Sequence, residues 1–343
     1  MADTVMTVLG PVNREALGKT LAHEHLQLDL TCLWHQPQDP ARAFLVDTAV
    51  SPELYTVLKQ DPYHSLDNLR LDNLALAGQE LNLFKNAGGR TVIDLSTRTI
   101  GPYPEALAHL SQETGLHIVA GTGYYVRRAH PGWIPDASWE QLAEEMLRDV
   151  EEGFPGTHVR AGILGELGTS SPVHPDELKV LKAAVYVQRR HPIAINVHLA
   201  IFGSEGLRVL DFLEQEGADL SRVALSHLDE NLDPKYHQAL AKRGVFLEFD
   251  TFGSECQFSE DGVAEPHDEE RLEALERLSE RHLHQLLLSQ DICTKMQWHA
   301  FGGKGYDHIL TTIVPALKDR GFKEHDIETL MEKNPARLLA GGQ

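Results

Sequence analysis

The chain has 343 residues, 42% of them apolar and 24% charged, with a formal net charge of −20. That balance suits a globular protein with a sizeable core, and the acid excess argues against nucleic-acid or anionic-membrane partners, which favour a basic surface. Three cysteines (Cys32, Cys256 and Cys293) are too sparse and too odd for a disulfide framework, which points to a reducing, cytoplasmic setting with structural thiols.

In chain order, Met1-Ala2-Asp3-Thr4 lacks the basic-then-apolar pattern of a secretory signal, and no later apolar run is long enough to span a bilayer. Residues 4–17 carry Gly10-Pro11 between two short apolar runs and predict a small β-hairpin. Eight short apolar runs follow, at 20–26, 91–96, 117–125, 161–168, 193–199, 223–228, 245–250 and 286–291. Amphipathic, helix-favouring segments separate them at 71–86, 103–113, 139–152, 175–190, 206–215, 234–243 and 269–281. Two further helices are predicted at 306–319 and 325–339. Strand–helix alternation calls for parallel pairing through helical crossovers, and eight repeats favour a closed (β/α)8 TIM barrel over an open sheet. No Gly-x-Gly-x-x-Gly follows the first run and no Walker sequence occurs, so a nucleotide-binding sheet has no support. With no linker-like shift in composition, one domain over 1–343 is expected.

His23-Glu24-His25, in the first run, carries the most chemistry. Residues two apart on a strand share a face, so His23 and His25 aim together, as two ligands of one ion must. Glu166 sits in Ile163-Leu164-Gly165-Glu166-Leu167-Gly168, while His198, His227 and Asp291 close the fifth, sixth and eighth runs. Singly, each has an ordinary explanation: a hydrogen-bonded rim histidine, a helix-capping aspartate, a paired buried acid. Jointly, at the carboxyl ends of barrel strands, four imidazoles and two carboxylates suit two divalent cations. His23, His25 and Asp291 would hold one ion, His198 and His227 the other, and Glu166 would bridge them together with a water-derived hydroxide. Asp291 is then placed to take the nucleophile's proton and pass it to the leaving group. Zinc is the first expectation for the ions, with manganese, cobalt or iron as alternatives.

These residues resemble the amidohydrolase superfamily, and more narrowly its phosphotriesterase-related proteins. The likeness runs from about Thr7 to the C-terminal helix and is carried by Leu21-Ala22-His23-Glu24-His25, Gly162-Ile163-Leu164-Gly165-Glu166, Leu225-Ser226-His227-Leu228-Asp229 and Gly302-Gly303-Lys304-Gly305-Tyr306. Glu166 stands where many superfamily members carry a carboxylated lysine, as in the phosphotriesterase-related branch. Asp250 is followed by Thr251-Phe252-Gly253, without the arginine of quorum-sensing lactonases, which weakens a reading as a hydrolase of long-chain acyl-homoserine lactones. Tyr125 matches a tyrosine that lies beside the bridging hydroxide in related lactonases, which implies a role in orienting substrate or packing under the rim. The resemblance implies a homodimer and hydrolysis of a small molecule. A carboxylic ester or lactone comes first, an N-acyl amide second, and phosphotriester cleavage as a side activity. The non-enzymatic alternative is a barrel that binds metal or small ligands. Arg127, Arg128, Lys295 and Lys304 in the mouth loops hint at an anionic substrate. Asp94 is read as a partner of a ligand histidine or a plain strand-end residue, and Asp229 as a helix cap or a proton relay.

Overall fold

The computed structural model describes residues 3–101 and 103–340; Met1 and Ala2, where the N-terminal reading begins, lie outside the described residues. Thr4–Thr7 pairs antiparallel with Gly10–Asn13, turning at Val8-Leu9, to form the expected hairpin.

Eight strands follow: β1 (Thr20–Glu24), β2 (Thr91–Asp94), β3 (His117–Thr122), β4 (Ile163–Gly168), β5 (Ala194–His198), β6 (Val223–Leu225), β7 (Phe246–Phe249) and β8 (Leu286–Leu288). They form one sheet in sequence order, every ladder parallel. The crossovers are α1 (Leu74–Asn86), α2 (Pro104–Thr114), α3 (Trp139–Glu151), α4 (Pro175–Arg190), α5 (Gly206–Glu216), α6 (Pro234–Ala241) and α7 (Asp268–His282). Their ends follow local chemistry. Ser138 and Gln141 form a capping box at the start of α3, and Pro175 opens α4 where a missing N–H costs nothing. Gly115 and Gly217 end α2 and α5 in the left-handed conformation that L side chains avoid.

One residue from each strand builds the barrel floor: Ala22, Ile93, Val119, Ile163, Ala194, Ala224, Phe246 and Leu287. Val5 and Leu17 near the hairpin and Leu338 and Leu339 from the C-terminal helix pack against them and plug that end. Above this apolar layer the interior turns polar, at the carboxyl ends of the strands, where barrel active sites form.

The barrel closes between β1 and β8 largely through side chains. The Glu24 carboxylate accepts from Ser289 Oγ at 2.7 Å and from the N–H groups of Gln290 and Ile292, both at 2.9 Å. Ser289 Oγ in turn accepts the His23 N–H at 3.0 Å, and the Asp291 N–H reaches the His23 carbonyl at 3.2 Å. This stitching carries the chain past the last ladder residue of β8 and delivers Asp291 to the mouth.

Both predicted C-terminal helices contain a widened, π-type turn, at Ile309–Ile313 and Thr329–Lys333. Each lies just before a proline (Pro315 and Pro335), whose missing N–H interrupts the regular i→i−4 ladder.

Candidate metal centre

Two irregularities aim the site. In β1 the register shifts between Leu21 and Glu24, which lets Ala22 belong to the floor while His23 and His25 both turn toward the mouth. Simple alternation would put Ala22 and His23 on opposite faces. In β4 the register shifts between Leu164 and Leu167, at Gly165 with φ 121°. A Cβ on Gly165 would stand 2.3 Å from the Asn196 carbonyl oxygen, so only glycine fits, and Glu166 is turned inward above Ile163.

Glu166 lies between two sets of histidines. Its Oε1 is 3.4 Å from His25 Nε2, and its Oε2 is 3.0 Å from His198 Nδ1 and 3.8 Å from His227 Nε2. Asp291 Oδ1 stands 3.1 Å from His25 Nε2 and 3.5 Å from His23 Nε2, and His23 Nε2 is 3.6 Å from Glu166 Oε2. His198 Nδ1 and His227 Nε2 approach to 2.8 Å. The structure thus brings together all six side chains of the sequence-derived constellation. His227 and Asp291 reach it through left-handed backbone, with φ 62° and 45°. Such conformations are costly for non-glycine residues and persist where surrounding structure enforces them.

The groups behind the histidines fix their rings. Asp250 Oδ2 is 2.8 Å from His23 Nδ1, and Asp250 Oδ1 is 3.1 Å from His227 Nδ1 while accepting the His227 N–H at 2.9 Å. One carboxylate therefore sets both imidazoles so that each turns Nε2 toward Glu166. His25 Nδ1 contacts Ser96 Oγ at 2.9 Å. Glu248 takes Asn196 Nδ2 at 2.7 Å and Ser226 Oγ at 2.8 Å beneath His23.

The electrostatics match this division. Burial opposes charge on Asp250, but His227 and His23 outweigh it and hold the carboxyl well below the usual range. Burial likewise opposes charge on Glu166, and bonds from His198, His227 and His25 pull it down. Burial keeps His198 below its ordinary value, so it presents a neutral lone pair. Burial also pushes Tyr125 upward, which keeps its O–H, 3.4 Å from His198 Nδ1, a donor.

In the sequence, Asp250 stands out only for the residues that follow it, and Glu248 and Ser96 have no assigned role. The signal lay in Val245–Asp250, where Glu248 and Asp250 alternate within an apolar run and period two puts them on one face. Asp94 makes no direct contact with a histidine of the cluster among the described residues. It accepts the Leu26 and Ser96 N–H groups at 2.8 and 3.0 Å and so places Ser96, which makes the histidine contact. Asp229 takes the Thr251 N–H at 3.0 Å and faces Arg271 at 3.4 Å, anchoring the loop after β7 and not a helix start. All three cysteines are free, and burial raises their thiols above the usual range.

The basic residues of the mouth divide. Lys295 is spent on Asp67 and Asp72, at 2.7 and 2.9 Å, and Arg127 on Asp176 at 3.1 Å. Lys304 packs beside Gly253 and lines a minor crevice with Phe252 and Gln290. Arg128 donates to the Trp34 carbonyl at 2.8 Å and has no carboxylate partner among the described residues. It lines a cavity of about 280 Å³ at the mouth with Leu33, Tyr63, Ile201, Phe202 and Phe258. A larger cavity, about 710 Å³, lies at the hairpin end of the barrel, away from the histidines.

The sequence model of the Phosphotriesterase family matches residues 3–339. An N-acetyltaurine hydrolase from Xenopus tropicalis is 34% identical over 346 aligned residues, covering 99% of this chain and 98% of its own. The crystal structure of a resiniferatoxin-binding protein from Rhodobacter sphaeroides superposes with a TM-score of 0.96 at 39% identity, covering 98% of this chain and 95% of that one. A mutant phosphotriesterase-like lactonase from Deinococcus radiodurans superposes at 0.78 with 29% identity, covering 98% of this chain and all (100%) of that one. Matched along nearly its whole length, and carrying a nitrogen and carboxylate cluster at the carboxyl ends of its barrel strands, the chain belongs to the Phosphotriesterase family and is a metal-dependent hydrolase.

Proposed function

We propose that this protein hydrolyses an N-acyl amide bearing an anionic group, at a centre of two divalent cations. The placement of Glu166 carries the reading, with Oε1 toward His25 and Oε2 toward His198 and His227. His23, His25 and Asp291 would hold one ion, His198 and His227 the other, and Glu166 would serve both. The residues fit such ions. His23 Nε2 and Asp291 Oδ1 are buried without a hydrogen-bond partner, an expensive state unless something else binds them. The 3.1–3.6 Å separations among His23, His25, Glu166 and Asp291 also match the roughly 3.3 Å edge of a tetrahedron with 2.0–2.1 Å metal–ligand bonds. When bound, zinc (or manganese, cobalt or iron) would supply a nucleophilic water near neutral pH and polarise the scissile carbonyl.

The protein's own groups do the rest. Asp291, largely buried between the two histidine sets, accepts the nucleophile's proton and delivers it to the departing amine nitrogen. Tyr125, kept as a phenol, points its O–H into the same space and orients the acyl oxygen. Arg128, in no ion pair with a carboxylate among the described residues and on the wall of a cavity that Asp261 also lines, receives the anionic end of the substrate.

The sequence alone put an ester or lactone first. The N-acetyltaurine hydrolase relatives move the amide ahead, because N-acetyltaurine is an amide ending in a sulfonate, the charge Arg128 would take. A lactone is the second reading, favoured by the lactonase neighbour. The test is turnover by metal-loaded protein of N-acetyltaurine, other N-acyl amino acids, neutral N-acyl amines and a panel of lactones. The proposal expects kcat/KM to be highest for the anionic amides; faster turnover of lactones, or indifference to the charge, overturns it.

A further inference from the structure

Outside the Glu166 centre, a second group of metal-type side chains lies at the mouth cavity, whose wall includes His35. His35, Asp61 and His64 come from the long excursion between β1 and α1, and their donor atoms all lie within 4.8 Å of one another. His35 Nε2 is 3.0 Å from Asp61 Oδ2, and His64 Nε2 is 3.4 Å from the same oxygen. Glu260, from the loop after β7, brings its Oε2 to 3.5 Å from His64 Nε2.

His64 is what the ordinary reading leaves unexplained. Its side chain is 1% exposed, and neither Nδ1 nor Nε2 has a hydrogen-bond partner. A neutral imidazole carries one N–H and one lone pair, and burying both unmet costs about 1–3 kcal/mol for each group. Asp61 is prepared as a ligand. Its Oδ1 is occupied by the Tyr63 N–H at 2.9 Å, which leaves Oδ2 facing both histidines. Glu260 is steadied by the Gln38 N–H, 2.9 Å from Oε1 and 3.1 Å from Oε2. The two separations to Asp61 Oδ2, 3.0 and 3.4 Å, lie close to the roughly 3.3 Å edge expected between neighbouring nitrogen and oxygen ligands of a tetrahedral ion.

We propose that His35, Asp61 and His64, with Glu260 beside His64, form a separate, mononuclear site for a divalent first-row cation, for which zinc is the best match of ligand type. The ion would have a structural role. The excursion is built mainly of short 3-10 turns, and it meets the β7 loop through backbone bonds such as Gln257 N–H to Lys59 O at 2.8 Å and Ser259 N–H to Gln60 O at 2.9 Å and through an apolar cluster of Leu45, Val50 and Leu58 with Cys256 and Phe258. A cation held by both segments would fix Tyr63 and Phe258, whose rings lie 5.5 Å apart and line the substrate cavity. The inference stands apart from the amide reading and from the occupancy of the Glu166 centre.

The test is zinc content of full-length protein saturated with zinc and freed of excess, compared with His64→Gln and His35→Gln. Each variant is expected to hold one equivalent less than the unaltered chain. His35 is partly exposed, so its variant remains informative if His64→Gln fails to fold. Anomalous diffraction at the zinc edge from zinc-saturated crystals should show a peak between His64 and Asp61. Equal zinc content in the unaltered chain and a folded variant, or no peak at that position, overturns the proposal whatever the Glu166 centre contains.

Discussion

Asp250→Asn tests the idea that one carboxylate orients a histidine at each of the two proposed ions. Asp250 presents one oxygen to His23 Nδ1 at 2.8 Å and the other to His227 Nδ1 and the His227 N–H at 3.1 and 2.9 Å. Asparagine is nearly isosteric but keeps a single acceptor, so one imidazole N–H must face an NH2 group. That ring either changes tautomer, which turns an N–H toward Glu166, or loses its support. The other ring keeps an acceptor but loses the carboxylate charge opposite it, a charge that His227 and His23 now keep in place by holding Asp250 well below the usual carboxylate range. Partners behind a ligating histidine are typically worth about 10–100-fold in metal affinity or activity, or about 1.4–2.7 kcal/mol. With one ring misoriented and the other weakened, kcat/KM should fall about 100-fold, with metal content reduced. Ser96→Ala, which removes only the hydroxyl behind His25, should cost about tenfold or less. The measurements are metal content and steady-state kinetics on variants whose far-ultraviolet circular dichroism is unchanged. A folded Asp250→Asn protein with the full metal complement and unaltered kcat/KM would refute the shared-orienter account.

Three other outcomes follow from the same geometry. Asp291→Asn should lower kcat by about 10²–10⁴-fold, because the proton acceptor is gone, while much of the metal stays on the remaining histidines and Glu166; an unchanged kcat excludes the shuttle role. Arg128→Gln should raise KM for sulfonate- or carboxylate-bearing substrates about tenfold and leave neutral ones unaffected, so equal effects on both classes would remove Arg128 from recognition. Without metal, burial lowers the His25 pKa, but the carboxylates of Asp291 and Glu166 outweigh it and bring it to about 9. The folded value lies above the unfolded one, so His25 adds stability to the metal-free protein that is complete below about pH 6.5 and lost as pH rises through about 9. Metal must displace that proton, so titration of metal-free protein at pH 8 should release about one proton from His25 alone; calorimetry in buffers of differing ionisation enthalpy reads it, and zero release contradicts the placement.

Much of the barrel could be read from alternating runs, because parallel strands covered on both faces show as short apolar stretches between amphipathic helices. The errors cluster at one end. Run 223–228 was expected to be strand throughout, yet β6 stops at Leu225, and run 286–291 shrinks to Leu286–Leu288. Apolar character continues past the last ladder bond because the chain stays buried while leaving the sheet. Those departing residues, His227 and Asp291, adopt left-handed backbone and enter the site. A pattern of burial cannot reveal where pairing stops, so the same residues that mark the site blur the strand boundaries.

The six clustered residues were recoverable because imidazoles and carboxylates are rare at the ends of apolar strands, and their convergence follows from the topology. The residues that aim them were less visible. The β1 register shift that turns His23 beside Ala22 has no local sequence signature, since it is enforced by partners more than 200 residues away: Ser289 on the His23 N–H, and Asp250 on its ring. Glu24 shows the same limit from the opposite side. Between two candidate ligands it resembles a third, and burial lifts its pKa to about 7 against the Ile292, Ser289 and Gln290 donors. Its carboxylate closes the barrel seam and sets the path by which Asp291 reaches the histidines. Ligand chemistry is therefore local and can be read from composition, whereas orientation depends on contacts between strands distant in sequence, which only the closed barrel brings together.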